Sequence, residues 1–331
     1  MRLGLALLSF FAFCVVETAQ QSVHQASLGG DQTLSVDVER VNVLFTVAGR
    51  RGKLITNLKR DDFSVFEDDR LQNISNFSAE TDLPLNIAFL IDTSGSIWGK
   101  LRFEREAAAR FFYSALRPGK DKASILTFDS EMTLLQNYTD DPAILTASMQ
   151  RLISGGSTAL YQAVSEAVTE RLAGQTGRRV VIVVSDGVDN SSHISLERTL
   201  EVAQKNDVVI YAVSTNGIEG PVFQKHENGD ANLKRLAEET GGRALFPAKV
   251  DELTHSFYRI SDELRAQYSL AYGPTNARRD GTFRQIRIVA AHKDYEIRSR
   301  NGYFAPGPDD VQSVAIRGQT SKSPQFEEQL R

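Results

Sequence analysis

Nearly unbroken apolar runs alternate with stretches of helical spacing in the middle of the chain, and this alternation restricts its fold more than any other feature. The runs are Leu85–Ile91, Val180–Val184 and Val208–Val213. Strands that are apolar on both sides are typical of parallel sheets with both faces buried. Between two of the runs, Leu101–Leu116 places its apolar residues at the spacing of one helix face. The sequence therefore predicts an α/β fold, in which a mostly parallel sheet carries helices on both faces.

Shorter runs with the period-two alternation of strands flank this region on both sides. Residues 30–82 contain about four such strands and residues 268–304 about three. Neither set makes a convincing core alone, so we predict that together they form a small seven-stranded β-sandwich, into which the α/β domain of residues 83–267 is inserted. The alternative is two independent hairpins that flank the α/β domain. The Pro-, Gly-, Ser- and Gln-rich residues 305–331 are predicted to form a disordered tail.

The first residues follow the pattern of an export signal. Arg2 precedes an apolar run, Leu3–Val16, and no further charge occurs before Glu17. This run is too short for a comfortable transmembrane helix, which needs about 20 residues. We interpret residues 1–19 as a signal peptide or, if uncleaved, as an N-terminal anchor. We expect contact with a membrane only through such an anchor. Either interpretation predicts a secreted or periplasmic protein.

The charge balance argues against nucleic acid as a partner. The 331 residues include 38 Lys and Arg against 42 Asp and Glu, which gives a formal net charge of −4. Proteins that bind phosphate backbones usually present a basic surface. We therefore expect no nucleic-acid partner.

Side chains with oxygen donors gather in three loops at the expected carboxyl edge of the sheet. In open α/β sheets, ligands bind outside the carboxyl ends of the strands. Small hydroxyl and carboxylate donors suit a hard cation such as Mg²⁺, which prefers octahedral oxygen coordination. Taken one loop at a time, helix capping and ordinary turns explain the same residues as well. The candidate donors are Asp92, Ser94, Ser96, Thr158 and Asp186.

Taken together, the five donors resemble the metal-ion-dependent adhesion site of von Willebrand factor A (vWA) domains in order and spacing. The matching features are the Asp-Thr-Ser-Gly-Ser stretch that begins at Asp92, Thr158 behind a pair of glycines, and Asp186 ahead of a glycine. The resemblance spans about residues 84–268 and implies a Rossmann-like vWA domain. Flanking stretches also resemble bacterial secreted proteins related to vWA domains, namely Asp62–Asp68, Phe283–Ile286 and Gly302–Ala305.

The resemblance implies a role for each donor. Ser94 and Ser96 would ligate the ion directly, and Thr158 would do so in the ligand-bound form. Asp92 and Asp186 would act mainly through waters. One coordination position would stay open for a carboxylate from a partner, either a protein or a surface polymer. The expected ion is Mg²⁺, with Mn²⁺ and Ca²⁺ as alternatives. The sequence makes no prediction of the oligomeric state.

Two further residues are candidates for contact with the partner. Trp98 follows Ser96 by two positions, and an exposed tryptophan beside the ion would be a natural hot spot. A tryptophan in the core is an equal alternative. Asp189 follows Asp186 closely and would shape the rim of the site, although a plain turn explains it better.

An enzyme is the weaker interpretation of this sequence. The five histidines form no cluster with zinc-ligand spacing, and the chain has neither a Gly-x-Ser-x-Gly elbow nor a phosphate-binding loop. A Mg²⁺-dependent phosphotransferase would need a second acidic residue near Asp92 and a lysine at a strand end, and neither stands out. We therefore predict a binding or adhesion module without enzymatic activity. The alternative is a structural or assembly protein whose metal site is vestigial.

Overall fold

Strands and helices follow one another in the three regions that the sequence predicts. The computed structural model describes residues 40–79, 82–94, 101–153, 155–217 and 227–308. The first strands are β1 (Val41–Ala48), β2 (Phe63–Glu67), β3 (Arg70–Gln72) and β4 (Ile74–Ser78). The middle strands are β5 (Leu85–Asp92), β6 (Lys122–Phe128), β7 (Met132–Thr139), β8 (Arg178–Ser185), β9 (Val208–Ser214) and β10 (Ala244–Leu245). The last strands are β11 (Tyr268–Tyr272), β12 (Phe283–Ala290), β13 (Glu296–Ser299) and β14 (Gly302–Phe304).

All six α-helices of the described residues lie in the middle region. They are α1 (Leu101–Ala115), α2 (Pro142–Ser148), α3 (Leu160–Glu166), α4 (Leu196–Lys205), α5 (Glu227–Glu238) and α6 (Val250–Arg265). A π-helical turn, Ala167–Leu172, continues α3. Short 3₁₀ helices occur at Arg50–Gly52, Arg60–Asp62 and Met149–Arg151.

A six-stranded sheet in the order β10-β9-β8-β5-β6-β7 forms the centre of the middle region. Its pairs are parallel except for β7, which lies antiparallel to β6 at one edge. Every residue of β5 is buried. Ile87 and Phe89 pack towards α1, α2 and α6, whereas Ala88 and Leu90 pack towards α3, α4 and α5. The predicted mostly parallel sheet with helices on both faces is confirmed.

Three details of the α/β domain differ from the prediction. The sequence pattern did not indicate β7 or α2, because β7 is a partly exposed edge strand and α2 has only seven residues. The sequence pattern predicts a short helix over residues 232–240, whereas helix α5 begins at Glu227, five residues earlier. Its first turn is polar and includes Gly229, so it lacks the apolar spacing from which a helix is predicted.

The flanking strands form two antiparallel four-stranded sheets, and each sheet draws strands from both ends of the described chain. One has the order β13-β1-β11-β4, and the other has the order β14-β12-β2-β3. In the first sheet, Val41 of β1 lies opposite Tyr272 of β11. The described strands of the two flanking sheets number eight, so the prediction of seven was wrong. The three-residue strands β3 and β14 were too short to be recognised from their sequences. The strand that the alternation of Val36 and Val38 predicts lies outside the described residues.

One hydrophobic core joins the two flanking sheets. Phe45 and Tyr268, from the first sheet, pack against Phe63 of the second, with ring centroids 5.0 and 5.7 Å away. Burial of each such side chain contributes about 1.5–3 kcal/mol to folding. The shared core agrees with a sandwich and not with two independent hairpins.

Both connections between the sandwich and the α/β domain lie at the amino edge of the central sheet. Strand β4 leads into β5 at its first residue, Leu85, and α6 leads into β11 within three residues. Arg178, the first residue of β8, donates to the carbonyl of Leu264 and, at 3.1 Å, to Oε1 of Gln267. The sandwich is therefore joined to the edge opposite the loops that carry the predicted metal donors.

The first residues of the predicted disordered tail, 305–308, are part of the described structure. Ala305 is buried, and its N–H donates to the carbonyl oxygen of Thr282 at 2.9 Å. The carbonyl of Pro306 accepts the N–H of Gly281 at 3.3 Å. Backbone hydrogen bonds therefore hold residues 305 and 306, which the sequence pattern assigns to the tail. The predicted export signal, residues 1–19, and the rest of the predicted tail lie outside the described residues. Within the described part of the chain, no helix is long and apolar enough to cross a membrane.

Candidate metal site at the carboxyl edge of the sheet

The carboxyl ends of β5, β6, β8 and β9 lie level with one another. In the strand register, Asp92 is opposite Phe128 at the end of β6, and Ser185 is opposite Ser214 at the end of β9. Parallel strands that end together present their following loops at one edge. The register therefore brings the loops after Asp92 and after Ser185 to the same place.

Asp92 is a buried carboxylate held by two donors. Its side chain is 0% exposed. Its Oδ1 accepts the backbone N–H of Ser94 at 2.9 Å, and its Oδ2 accepts the hydroxyl of Ser185 at 2.6 Å. Burial raises the pKa of Asp92 to about 6, although the hydrogen bonds from Ser185 and Ser94 act in the opposite direction, and the nearby Asp186 raises it further. Within the described ranges, neither Asp92 nor Asp186 forms an ion pair with a lysine or arginine.

The residue after Asp92 ties two loops together. Thr93 donates its N–H and its hydroxyl to the carbonyl of Phe128, at 2.8 and 3.1 Å. The carbonyl of Thr93 accepts the N–H of Gly155 at 2.8 Å. Ser94, which follows, is buried. This contact brings the loop of Gly155 and Thr158 next to the loop of Asp92 and Ser94.

Thr158 is fixed through its backbone. Its N–H donates to Oδ1 of Asn190 at 2.8 Å, and its carbonyl accepts the N–H of Asn190 at 3.0 Å. The N-cap position of α3 is Ala159, so capping does not explain the hydroxyl of Thr158. The preceding Gly156 has a φ of +80°, and a Cβ there would lie 2.8 Å from Cγ of Asp129. The loop before Thr158 therefore requires a glycine at this position.

Asp186 begins the loop after β8, which packs against the start of α5. Its Oδ1 accepts the N–H of Val188 at 3.0 Å, and its carbonyl accepts Nδ2 of Asn216 at 2.8 Å. Gly187 has a φ of +76°, and a Cβ there would lie 2.1 Å from the carbonyl oxygen of Gly229. The close approach of α5 therefore depends on the absence of a side chain at Gly187.

The structure thus gathers four of the five predicted donors at one edge of the sheet: Asp92, Ser94, Thr158 and Asp186. Ser96 and the candidate contact residue Trp98 lie outside the described residues. Asp189 serves the fold, because its Oδ2 accepts the N–H of Tyr161 in the first turn of α3 at 2.9 Å and the hydroxyl of Ser192 at 2.6 Å. Both of these donors belong to the same chain, so this carboxylate holds α3 to the loop after β8.

Sequence reasoning missed the residues that hold the donors in place. Ser185, Asn190 and Asn216 each make a hydrogen bond to a predicted donor or its backbone. Serine and asparagine after a strand are ordinary turn residues. The only signal was position, since Ser185 directly precedes Asp186 and closes a buried strand.

The donor set fits a hard divalent cation. All four described donors offer oxygen, from two carboxylates and two hydroxyls. In the part of the chain that the structure describes, no group of three or more His, Cys, Asp or Glu could hold a metal. The four described donors combine carboxylates with hydroxyls, a set of oxygen ligands that suits Mg²⁺ better than softer metals.

Comparison with known sequences identifies one domain model. Residues 86–259 match the model of the von Willebrand factor type A domain. An uncharacterized protein of Borreliella burgdorferi is 20% identical over 230 residues, which cover 63% of this chain and 62% of that protein. The chain therefore spans less than two thirds of the length of this relative.

Solved structures show similarity over little more than half of the chain. Proximal thread matrix protein 1 from the mussel byssus, solved with a zinc-occupied MIDAS motif, is 20% identical with a TM-score of 0.47. The match covers 58% of this chain and 48% of that one. The von Willebrand factor domain of the type V pili tip protein Mfa5 from Porphyromonas gingivalis is 11% identical with a TM-score of 0.47, and the match covers 56% of this chain and 96% of that one.

Proposed function

Because the chain belongs to the von Willebrand factor type A domain family, we propose that it is a divalent-cation-dependent binding module of the adhesion type and not an enzyme. The ion is Mg²⁺ in this proposal, with Mn²⁺ and Ca²⁺ as alternatives. A carboxylate from a partner protein or surface polymer completes its coordination. The module works outside the cytoplasm. The residues that hold the ion are Asp92, Ser94, Ser96, Thr158 and Asp186.

One observation carries this proposal. Two carboxylates, Asp92 and Asp186, lie at the same sheet edge, both are buried, and no lysine or arginine among the described residues pairs with either. Burial of a carboxylate without a counter-charge is costly. A bound divalent cation would offset that cost, so the arrangement supports a cation site more than a plain turn.

The same donor set supports a carboxylate as the feature that the partner offers. Mg²⁺ usually keeps several waters when it binds to protein. A carboxylate that replaces one of these waters gains a charge-assisted contact. A partner with an accessible Asp, Glu or uronic acid would therefore bind only when the ion is present.

The test is a calorimetric titration of Mg²⁺ and Mn²⁺ into chelator-stripped protein. We expect saturable binding by the wild type and its loss in Asp92→Asn and Ser94→Ala. Asp92→Asn keeps the side-chain volume, so it separates loss of charge from loss of packing. Asp82→Ala is the matched control, because this carboxylate is exposed and precedes β5 at the other edge of the sheet.

The outcome also decides between the two candidate roles. If the wild type binds neither ion at millimolar concentration, the proposed site is refuted and a structural or assembly role is favoured. If it binds, the same variants serve in a pull-down with carboxylate-bearing beads, where retention must depend on the ion and disappear with EDTA.

A further inference from the structure

Ser185 joins two of the loops that carry predicted donors. It is the last residue of β8 and is fully buried. Its hydroxyl donates to Oδ2 of Asp92 at 2.6 Å and accepts the N–H of Gly187 at 3.0 Å. A serine hydroxyl has a single proton. Because the N–H of Gly187 uses a lone pair of the Ser185 oxygen, the proton of that hydroxyl is left for Asp92.

These contacts fix the plane of the Asp92 carboxylate. Ser94 donates its N–H to Oδ1 and Ser185 donates its hydroxyl to Oδ2, so a donor holds each oxygen. A carboxylate has about four lone-pair directions. Each oxygen therefore keeps capacity for one more donor, such as a water bound to an ion.

We propose that Ser185 is a positioning residue of the cation site, which orients Asp92 and keeps the loop of Asp92 at a fixed distance from the loop of Asp186. This inference rests on the proposed cation site and adds a residue outside its set of donors. Partners that orient metal ligands through hydrogen bonds typically change metal affinity 10–100-fold when they are replaced.

The neighbouring strand offers a matched control for Ser185. Ser214 ends β9, lies opposite Ser185 in the strand register and is equally buried. Its hydroxyl donates to Oδ1 of Asp230 at 2.6 Å and accepts the N–H of Asn216, two residues on, at 3.2 Å. The two serines thus share residue type, burial and hydrogen-bond pattern. They differ in the acceptor, because Asp230 belongs to α5 and is not a predicted donor.

The experiment measures Mn²⁺ binding by electron paramagnetic resonance on the full chain, with the melting temperature of the metal-free protein as a second readout. We expect Ser185→Ala to weaken Mn²⁺ binding by about 10–100-fold. Ser185→Thr keeps the hydroxyl and should recover most of the affinity. Ser214→Ala should leave the affinity within about threefold of the wild type. Both alanine variants should lower the melting temperature, since each loses the two hydrogen bonds of a buried hydroxyl.

Each outcome separates this inference from the proposed function. If the wild type binds no Mn²⁺, the proposed function fails and this inference fails with it. If the wild type binds and Ser185→Ala binds equally well, only the positioning role is refuted. Equal weakening in Ser185→Ala and Ser214→Ala would also overturn it, because any loss of a buried hydroxyl at this edge would then have the same effect.

Discussion

Asp121 anchors the amino end of the strand that carries Asp92, and its replacement by alanine should destabilise the protein. The Asp121 side chain is 1% exposed. It accepts the N–H of Leu85, the first residue of β5, at 2.9 Å. Arg117 donates three more hydrogen bonds to it, from its backbone N at 3.0 Å, Nε at 2.7 Å and Nη2 at 2.8 Å. Asp121 precedes β6, so it joins the amino ends of two neighbouring strands.

The magnitude follows from what happens to each partner once the carboxylate is gone. The N–H of Leu85 is buried and would be left without its acceptor, which costs about 1–3 kcal/mol. The Arg117 side chain is 32% exposed, so it regains water and its ion pair is counted at no more than about 1 kcal/mol. We expect Asp121→Ala to lower the free energy of unfolding by about 3 kcal/mol. At roughly 2–4 °C per kcal/mol, the melting temperature should fall by about 6–12 °C.

The control is a carboxylate that pairs with the same arginine. Asp82 lies 3.2 Å from Nη1 of Arg117 but is 87% exposed. Exposed ion pairs contribute little to stability, so Asp82→Ala should leave the melting temperature unchanged. Thermal unfolding followed by circular dichroism compares the two variants. An unchanged melting temperature for Asp121→Ala, or an equal loss for Asp82→Ala, would refute the reasoning.

The same comparison has a defined pH dependence. Burial alone would raise the pKa of Asp121, but the hydrogen bonds from Arg117 and Leu85 outweigh it and hold the pKa below its usual value. A carboxylate with a lowered pKa stabilises the fold above its unfolded-state pKa of about 3.9 and loses that contribution as the pH falls through the folded-state value. The difference in stability between the wild type and Asp121→Ala should therefore shrink below about pH 4. A difference that grows in acid would contradict this assignment.

Two further substitutions test other parts of the structure. Gly187→Ala should lower the melting temperature and weaken Mn²⁺ binding, because its Cβ would lie 2.1 Å from the carbonyl oxygen of Gly229 and force α5 away from Asp186. If neither the melting temperature nor the Mn²⁺ affinity changes, the close packing of α5 against this loop is contradicted. Glu67→Gln should lower the free energy of unfolding by about 3–5 kcal/mol, because it leaves the buried Arg284 without the carboxylate that lies 3.6 Å away. Urea titration measures this change, and a decrease below about 1 kcal/mol would contradict the importance of the buried pair.

The central strands could be predicted from sequence because strands that are buried on both faces consist almost entirely of apolar residues. Every residue of Val180–Val184 is β-branched, and this run forms the interior of β8. Strand β7 has no such composition, since among the described strands only β6 pairs with it, and its Leu134 is 45% exposed. Helix α5 was predicted to start too late because its first turn, which begins at Glu227, is held by polar contacts and close backbone packing. Apolar periodicity carries no information about contacts of that kind.

The site was predictable to the level of its loops but not of its hydrogen bonds. Asp92 and Asp186 were found because Asp92 ends the buried strand β5 and Asp186 directly follows the buried strand β8. The bond between Ser185 and Asp92 joins residues 93 positions apart, and it depends on β5 and β8 being neighbours in the sheet. The contact between Asn190 and Thr158 likewise spans 32 positions. Such choices of partner are set by strand order and register, which local sequence does not specify.

Both sheets of the sandwich combine strands from before and after the α/β domain, and this order determines when the sandwich can fold. Strands β1 to β4 are synthesised first, but β1 must pair with β11, so its partner does not exist until the whole α/β domain has been made. Until then, apolar faces and strand edges remain open to wrong pairing. The entropic cost of closing a loop rises only slowly with its length. Contacts between residues so far apart in sequence nevertheless form slowly. Once the α/β domain has folded, its entry at Leu85 and its exit at Arg265 lie at one edge of the central sheet. The insert then acts as a template that brings the two halves of the sandwich within reach of each other.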